Sequence, residues 1–420
     1  MTTGVLGSGT RTESFADAHD ERRLVRWGLP IVVFLASRVV STLLLLHGAG
    51  QQIQLTAANF PFFMARDFPV DPGYLDVITT WDGQYYQYLA QDGYGSSVPG
   101  DTQLDSKQLA WAFPPGFPLV IRALVWLTGA PFAVVATVLN VVLGTVAMVL
   151  LYGLVRRHAD RFAALAVVAT TSFFVSAPLF QTAYSESLAL LLLVLALRDI
   201  DSRTWWRAAL WTVLLSLVRI ITPPLALVVV VVLWRQRRST ARWSRTDLVG
   251  GGVVASLAAG GALFWSVLTR FAEPSASAGG GVAADAASDR TSNLAVLTVR
   301  WIQEAHAYWG VGGLVFMTLL VAAVVMMPLT RYGRSLGPAV STWLWAYPLF
   351  LFSVTLIQPG MLRYFLLAPG LLVPLLSPVR RTRRAKWVVL AVLLVLLVLA
   401  QRWFVNELLV IDSLEQGFGP

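Results

Sequence analysis

Apolar runs, the longer of them enough for a helix of about 20 residues to cross the roughly 30 Å hydrocarbon core of a bilayer, recur from Pro30 to Ile411 with short polar breaks. Such a chain has few options. Backbone groups immersed in lipid must bond within their own segment, which leaves the α-helix for runs of this length. Hydrophobic residues make up 56% of the 420 and charged residues only 13%, which excludes a soluble multidomain protein and a disordered chain. The cysteine count is zero, so no disulfide framework, thiol nucleophile or cysteine metal site is available. The expected fold is all-α, a polytopic membrane helical bundle of about eleven transmembrane helices. Its blocks fall at 29–46, 131–155, 162–180, 185–197, 206–220, 222–234, 247–270, 311–329, 339–357, 363–378 and 387–410.

The net charge of +9 gathers at the ends of these blocks, a pattern that sets orientation and contact with anionic membrane lipids rather than with nucleic acid. Arg22, Arg23 and Arg26 precede the first block, whose end lacks an A-x-A cleavage pattern. The stretch after it carries Asp67, Asp71, Asp76, Asp82, Asp92, Asp101 and Asp105 against Arg66 and Lys107. Residues 1–28 are therefore expected as a cytoplasmic tail, 29–410 as the transmembrane domain, 49–130 as its first external loop and 411–420 as an external tail. The Gly-rich stretch 271–293 reads as a flexible external loop. The block from Phe113 to Thr128 decides the topology. If it lies along the interface instead of spanning, the clusters Arg156, Arg157, Arg161 and Arg235, Arg237, Arg238, Arg242, Arg245 both face the cytoplasm.

A charge at mid-bilayer costs about 2.5 to 3.5 kcal/mol on insertion scales, so polar groups in or beside apolar blocks are the candidates for chemistry. These are Arg38, Asp82, Arg122, Glu186, Arg219 and Arg363, with Gln181 and Gln358 beside them. Asp82 opens the segment WDGQYYQYLAQDGYG, which suits a short amphipathic helix on the membrane with Trp81, Tyr85, Tyr86, Tyr88 and Leu89 as interfacial surface. There it either caps the helix or acts as a general base. Glu186 follows Gln181, Tyr184 and Ser185 at a helix start, where a carboxylate either caps or binds a sugar hydroxyl. Arg219 precedes Pro223 and Pro224, and Arg363 lies in QPGMLRYFLLAP. Converging arginines would make a phosphate site, although each alone serves equally to snorkel or to pair. No DxD pair of the kind that coordinates a nucleotide-sugar metal appears, and no G-x-x-x-x-G-K-[ST] loop occurs, so neither a metal-held nucleotide sugar nor a cofactor is expected.

Taken in order, Ser37–Arg38, WDGQYYQYLAQDGYG, AFPPGFPLVIRAL, AYSESLALLLLVLAL, LVRIITPPLAL and RYFLLAP resemble the GPI mannosyltransferase II type of integral-membrane glycosyltransferase and its bacterial relatives. The resemblance runs from Arg38 to Pro369. It departs at RIITPP, which lacks the Ser and Gly expected after the arginine, and at Leu89, where Ile is usual. The resemblance implies the GT-C fold, with two membrane-parallel helices, here 84–94 and 117–128, in the first external loop. It also implies a plasma-membrane mannosyltransferase with its active site on the external face, using a polyprenyl-phosphate sugar donor and a cell-envelope lipid or glycan acceptor, with inversion. The composition resembles that of an actinobacterial protein. Carried over, Asp82 is the catalytic base. Arg38, Arg219 and Arg363 are the expected ligands of the donor phosphate, and Trp81, Gln84, Tyr85, Gln181, Tyr184 and Glu186 the expected substrate-binding set. Two alternatives stay open: a GT-C transferase of another polyprenyl-phosphate sugar, such as arabinofuranose or glucose, and a non-catalytic polyprenyl-sugar transporter.

Overall fold

The structure, a computed structural model, describes residues 10–60, 64–94, 110–240, 244–272, 294–327, 330–355, 359–376 and 382–414. Every element among them is helical. The first is α1 (Thr10–Ala49). The long loop after it holds α2 (Tyr74–Val77), α3 (Asp82–Gln91) and α4 (Gly116–Thr128). Then come α5 (Phe132–Val155), α6 (Arg161–Ser172), a 3-10 turn at Ala177–Gln181, α7 (Glu186–Asp201), α8 (Trp205–Ser216) and α9 (Pro223–Thr240). The remainder is α10 (Arg245–Ala272), α11 (Leu294–Met326), α12 (Arg331–Ser335), α13 (Pro338–Val354), 3-10 turns at Pro359–Leu367 and Val373–Leu376, and α14 (Arg383–Phe404), which runs on into a π turn at Val405–Leu409.

Among the described residues, three segments, Trp27–Ala49, Phe132–Val155 and Arg384–Leu409, are long and apolar enough to cross a membrane. Their faces are sorted in the sense that lipid demands. On α1, Val32, Leu35, Val39, Leu43 and Leu46 are exposed at helical spacing, whereas Ser37, Arg38 and Ser41 are buried on the opposite side. On α14, Val388, Val392, Val395 and Leu399 form the matching outer stripe. This is a multi-pass membrane protein whose polar groups point inward.

Several of the other apolar blocks give shorter helices than full crossings require, among them Arg161–Ser172 and Pro338–Val354. Two breaks account for much of the difference. The block at 162–180 ends as α-helix at Ser172 and resumes as a 3-10 turn containing Pro178. The expected span at 363–378 is not an α-helix at all. Pro369 and Pro374 interrupt it, and Gly370 takes φ +90°, so the segment folds as parts of two 3-10 pieces. The loop at 273–293 and Gln358 lie outside the described residues.

The bundle centres on α7, whose Leu190, Leu193, Leu197 and Ile200 are fully buried between α5 and α8, while α9 packs on α10 and α13. The helix α4 is amphipathic: Phe117 and Ile121 face inward, and Leu119, Trp126 and Leu127 face out, Trp126 with 85% of its surface exposed. Its partner α3 differs from expectation. It begins at Asp82, but it is buried on most sides, including Tyr86, Tyr88 and Leu89. Those side chains close on Phe113, Phe117 and Ala110 instead of offering a surface to lipid headgroups.

Candidate functional site

The approach to Asp82 is clamped from three directions. Ala183 N–H donates to Ile78 O at 2.8 Å, the Tyr184 hydroxyl donates to Thr80 O at 3.2 Å, and the Trp81 indole donates to Leu409 O at 3.2 Å. The 182–184 elbow is itself pinned by Asn140, whose Nδ2 donates to Thr182 O at 2.6 Å and Tyr184 O at 2.9 Å. Trp81 sits at φ +54°, a region that a bulky residue adopts at a cost of about 1 to 3 kcal/mol, so the surrounding bonds hold a strained backbone immediately before Asp82. The result is a carboxylate aimed across the bundle at a residue 281 positions away. Arg363 Nη1 donates to Asp82 Oδ2 at 2.5 Å.

Arg219 reaches the same place from the turn after α8. Its backbone is fixed by close approach of the Pro-rich segment, where Gly116 N–H donates to Leu217 O at 2.7 Å. A Cβ at Gly116 would lie 2.7 Å from that oxygen, so only glycine fits. The Arg219 guanidinium pairs with Glu186 through Nη2 and donates from Nε to Ser185 Oγ at 3.0 Å. Ser185 also bonds the Tyr86 hydroxyl at 2.9 Å. Tyr364 lies under both guanidiniums, its ring 5.6 Å from Arg219 Cζ and 5.1 Å from Arg363 Cζ, and its hydroxyl accepts from Arg363 Nη2 at 3.3 Å.

A cavity of about 210 Å³ opens between these groups, lined by Asp82, Tyr86, Arg219, Arg363 and Tyr364 together with Phe113 and Thr355. Two features mark it as built for a polar guest. The side chains of Asp82 and Arg363 keep 18% and 11% exposure on it, and the buried Nε of Arg363 has no hydrogen-bond partner. The phenol of Tyr86 is pushed up to about 12, by burial first and then by the charges of Glu186 and Asp82, against the opposing charge of Arg219, so it stays a neutral donor. Burial raises Tyr85 as well, with Asp82 adding to it.

Of the residues singled out from sequence, Asp82, Arg219 and Arg363 meet at the cavity. Glu186, fully buried, stands one layer back and holds Arg219. Tyr184 is also fully buried and braces the strand of chain before Asp82. Tyr85 stacks on Phe113 at 5.0 Å. Gln84 turns away to accept from Ala65 N–H at 2.9 Å, and Trp81 packs on Phe60. Arg38 and Gln181 form a separate centre. Arg38 donates to Ala177 O at 2.6 Å, Ser172 O at 3.0 Å and Gln181 Oε1 at 3.4 Å, while Gln181 Nε2 donates to Thr42 Oγ1 and Tyr74 Oη. Arg38 thus satisfies the carbonyls left open where α6 stops, in place of the expected phosphate. Tyr86, Ser185 and Tyr364 are the contributors that the sequence reading left as surface or background. The one available signal was the position of Tyr364 directly after Arg363.

No family model matches the chain, and no curated protein matches it. Several solved structures are similar to it, two of them as follows. The oligosaccharyltransferase of Archaeoglobus fulgidus in complex with Zn and sulfate aligns with TM-score 0.40 and 13% identity over 92% of this chain and 53% of that one. The archaeal oligosaccharyltransferase AglB from the same organism, in complex with an inhibitory peptide and a dolichol-phosphate, aligns with TM-score 0.43 and 11% identity over 92% and 56%. The chain spans about half the length of these proteins.

Proposed function

We propose that the protein is an inverting GT-C glycosyltransferase, moving a sugar from a polyprenyl-phosphate donor to a hydroxyl of a cell-envelope lipid or glycan at the external face of the plasma membrane. The motif resemblance makes mannose the sugar. The observation that carries this reading is the convergence on one cavity of a single carboxylate, Asp82, and two guanidiniums, Arg219 and Arg363. An acyl or phosphoryl nucleophile is not needed. Asp82 takes the proton of the acceptor hydroxyl as its oxygen bonds to the anomeric carbon. The bond from that carbon to the phosphate oxygen breaks, and its electron pair leaves with the lipid phosphate, whose growing charge the two arginines stabilise. Tyr86 and Tyr364 supply hydroxyl groups beside them.

A second cavity supports a lipid-borne donor. On the other side of the 359–367 turn, Leu362 and Phe365 line an almost wholly apolar space of about 500 Å³, closed by Trp309, Leu320, Leu397 and Trp403. The same short turn therefore carries Arg363 and Tyr364 toward charge and its neighbours toward hydrocarbon.

The test is transfer of radiolabel from polyprenyl-phosphate mannose to envelope lipids by purified wild-type protein and by Asp82→Asn. Removing a general base costs about 10²- to 10⁴-fold, so the variant should lose transfer while the donor still stabilises it thermally. Equal transfer by both proteins removes Asp82 as the base. Stabilisation by the donor without transfer by either, across all envelope fractions, favours a polyprenyl-sugar transporter.

A further inference from the structure

The geometry that joins Asp82 to Arg363 is at odds with a base waiting for its substrate. One of the two carboxylate oxygens, Oδ2, already accepts a 2.5 Å charge-assisted bond from Arg363 Nη1. That bond fills one of the carboxylate's acceptor positions and holds it against the guanidinium. Arg363 for its part is poorly satisfied: Nε is buried without a partner and Nη2 holds only the Tyr364 hydroxyl at 3.3 Å. A planar guanidinium at the wall of a cavity with an unused Nε is suited to a bidentate acceptor such as a phosphate.

The two arginines are not equally free to respond. Arg219 is anchored from behind by the fully buried Glu186 and by Ser185. Arg363 rides on a 3-10 turn, a form of helix with poorer hydrogen-bond geometry, and the apolar cavity lies directly behind it at Leu362 and Phe365. That turn has room to shift. The charges of Asp82, Glu186, Arg219 and Arg363 also balance, so an arriving anion finds a neutral site in which only Arg363 can change partners.

We infer that Arg363 is a phosphate-operated latch on Asp82: it occupies the carboxylate while the cavity is empty and releases it when a lipid phosphate takes the guanidinium. This rests on the reading of the cavity as a donor-phosphate site. It makes donor binding precede deprotonation of the acceptor. It also resets the base. After transfer, the acceptor's proton sits on Asp82, and as the lipid phosphate departs, Arg363 returns to the carboxylate and the proton passes to water.

The experiment is infrared difference spectroscopy of the full chain in nanodiscs on adding farnesyl phosphate, with thermal stability measured in parallel. Wild type should show a shift in a carboxylate stretching band that is lost in Asp82→Asn. The band should also be lost in Arg363→Gln, where the carboxylate is already released. Arg363→Lys, which keeps the charge, should show it at reduced size and serves if the Gln variant does not fold. Inorganic phosphate at the same concentration separates the trigger from the tail: a band with both ligands assigns the latch to phosphate alone, and a band with farnesyl phosphate only assigns it to the lipid ester. Thermal stabilisation of wild type by farnesyl phosphate without an Asp82 band overturns the latch and leaves the phosphate site standing. Absence of stabilisation overturns the phosphate site, and the latch with it.

Discussion

Arg38 and Arg363 are both arginines buried in apolar surroundings, yet they live in opposite kinds of environment. Arg38 spends its donors on Ala177 O, Ser172 O, Ser37 Oγ and Gln181 Oε1, and lies over the rings of Phe34 at 4.9 Å and Phe180 at 5.5 Å. Two of its four acceptors are backbone carbonyls, and those two belong to a place where α6 ends and a 3-10 turn begins. Arg363 bonds side chains, one of them a carboxylate, keeps Nε unbonded, and borders a cavity. The difference teaches that burial alone does not separate a structural guanidinium from a working one. The acceptors do: carbonyls tie an arginine to the fold, whereas a carboxylate that also faces open space leaves it able to exchange partners.

The sharpest way to break this comparison is to remove each arginine in turn. Arg38→Met should act on stability. It strips the donor from two buried carbonyls, Ala177 O and Ser172 O, at about 1 to 3 kcal/mol each, and the thermal midpoint in detergent should fall accordingly. The folded remainder should keep the wild-type KM for donor. Arg363→Gln should do the reverse, with little change in midpoint and about a 10²- to 10³-fold loss in transfer, the usual effect of removing one donor to a developing oxyanion. If Arg38→Met instead raises the donor KM in folded protein, the two centres are one site.

Glu186 sharpens the contrast within the site itself. It does not line the cavity, so it should act only through Arg219. Glu186→Gln keeps an oxygen for the guanidinium but loses the charge, worth about 1.5 kcal/mol, so the donor KM should rise about tenfold. The acceptor KM should not move, and Glu186→Asp should restore part of the loss. A change in acceptor KM alone would return Glu186 to a direct substrate contact.

Much of this arrangement was legible before any coordinates. The cost of charge in an apolar block pointed to Asp82, Glu186, Arg219 and Arg363, and apolar runs located α5, α7, α8, α9 and α13 within a few residues. What stayed hidden is physically specific. A residue's apolar character says that it avoids water, not whether the backbone closes i to i+4 or i to i+3, so the 363–378 run reads as a span although it forms 3-10 turns. Partners were equally out of reach, because Asp82 and Arg363 are 281 positions apart and nothing local encodes their meeting. Arg38 misled for the same reason: its carbonyl acceptors exist only once α6 stops short. The aromatic residues of α3 misled because an interfacial helix and one buried against a second interfacial helix share the same pattern.

The smallest expected effect concerns Tyr86, and it tests whether the site is kept neutral and dry around its charges. Tyr86→Phe removes the hydroxyl that bonds Ser185 at 2.9 Å, a loss of about 0.5 to 1.5 kcal/mol at neutral pH. The alkaline range is more telling. In the unfolded chain the phenol ionises near its ordinary value of 10, whereas in the fold it holds its proton up to about 12, with burial as the main cause. The unfolded state therefore loses its proton first. The contribution is complete below about pH 10 and is lost as the pH rises through the folded value near 12. Wild type minus Tyr86→Phe, in thermal midpoint, should be constant to about pH 10 and shrink or reverse above it, with tyrosinate absorbance marking the late titration. A difference that is flat throughout would mean that Tyr86 meets water in the folded protein, and that the polar layer around Arg219 is solvated instead of sealed.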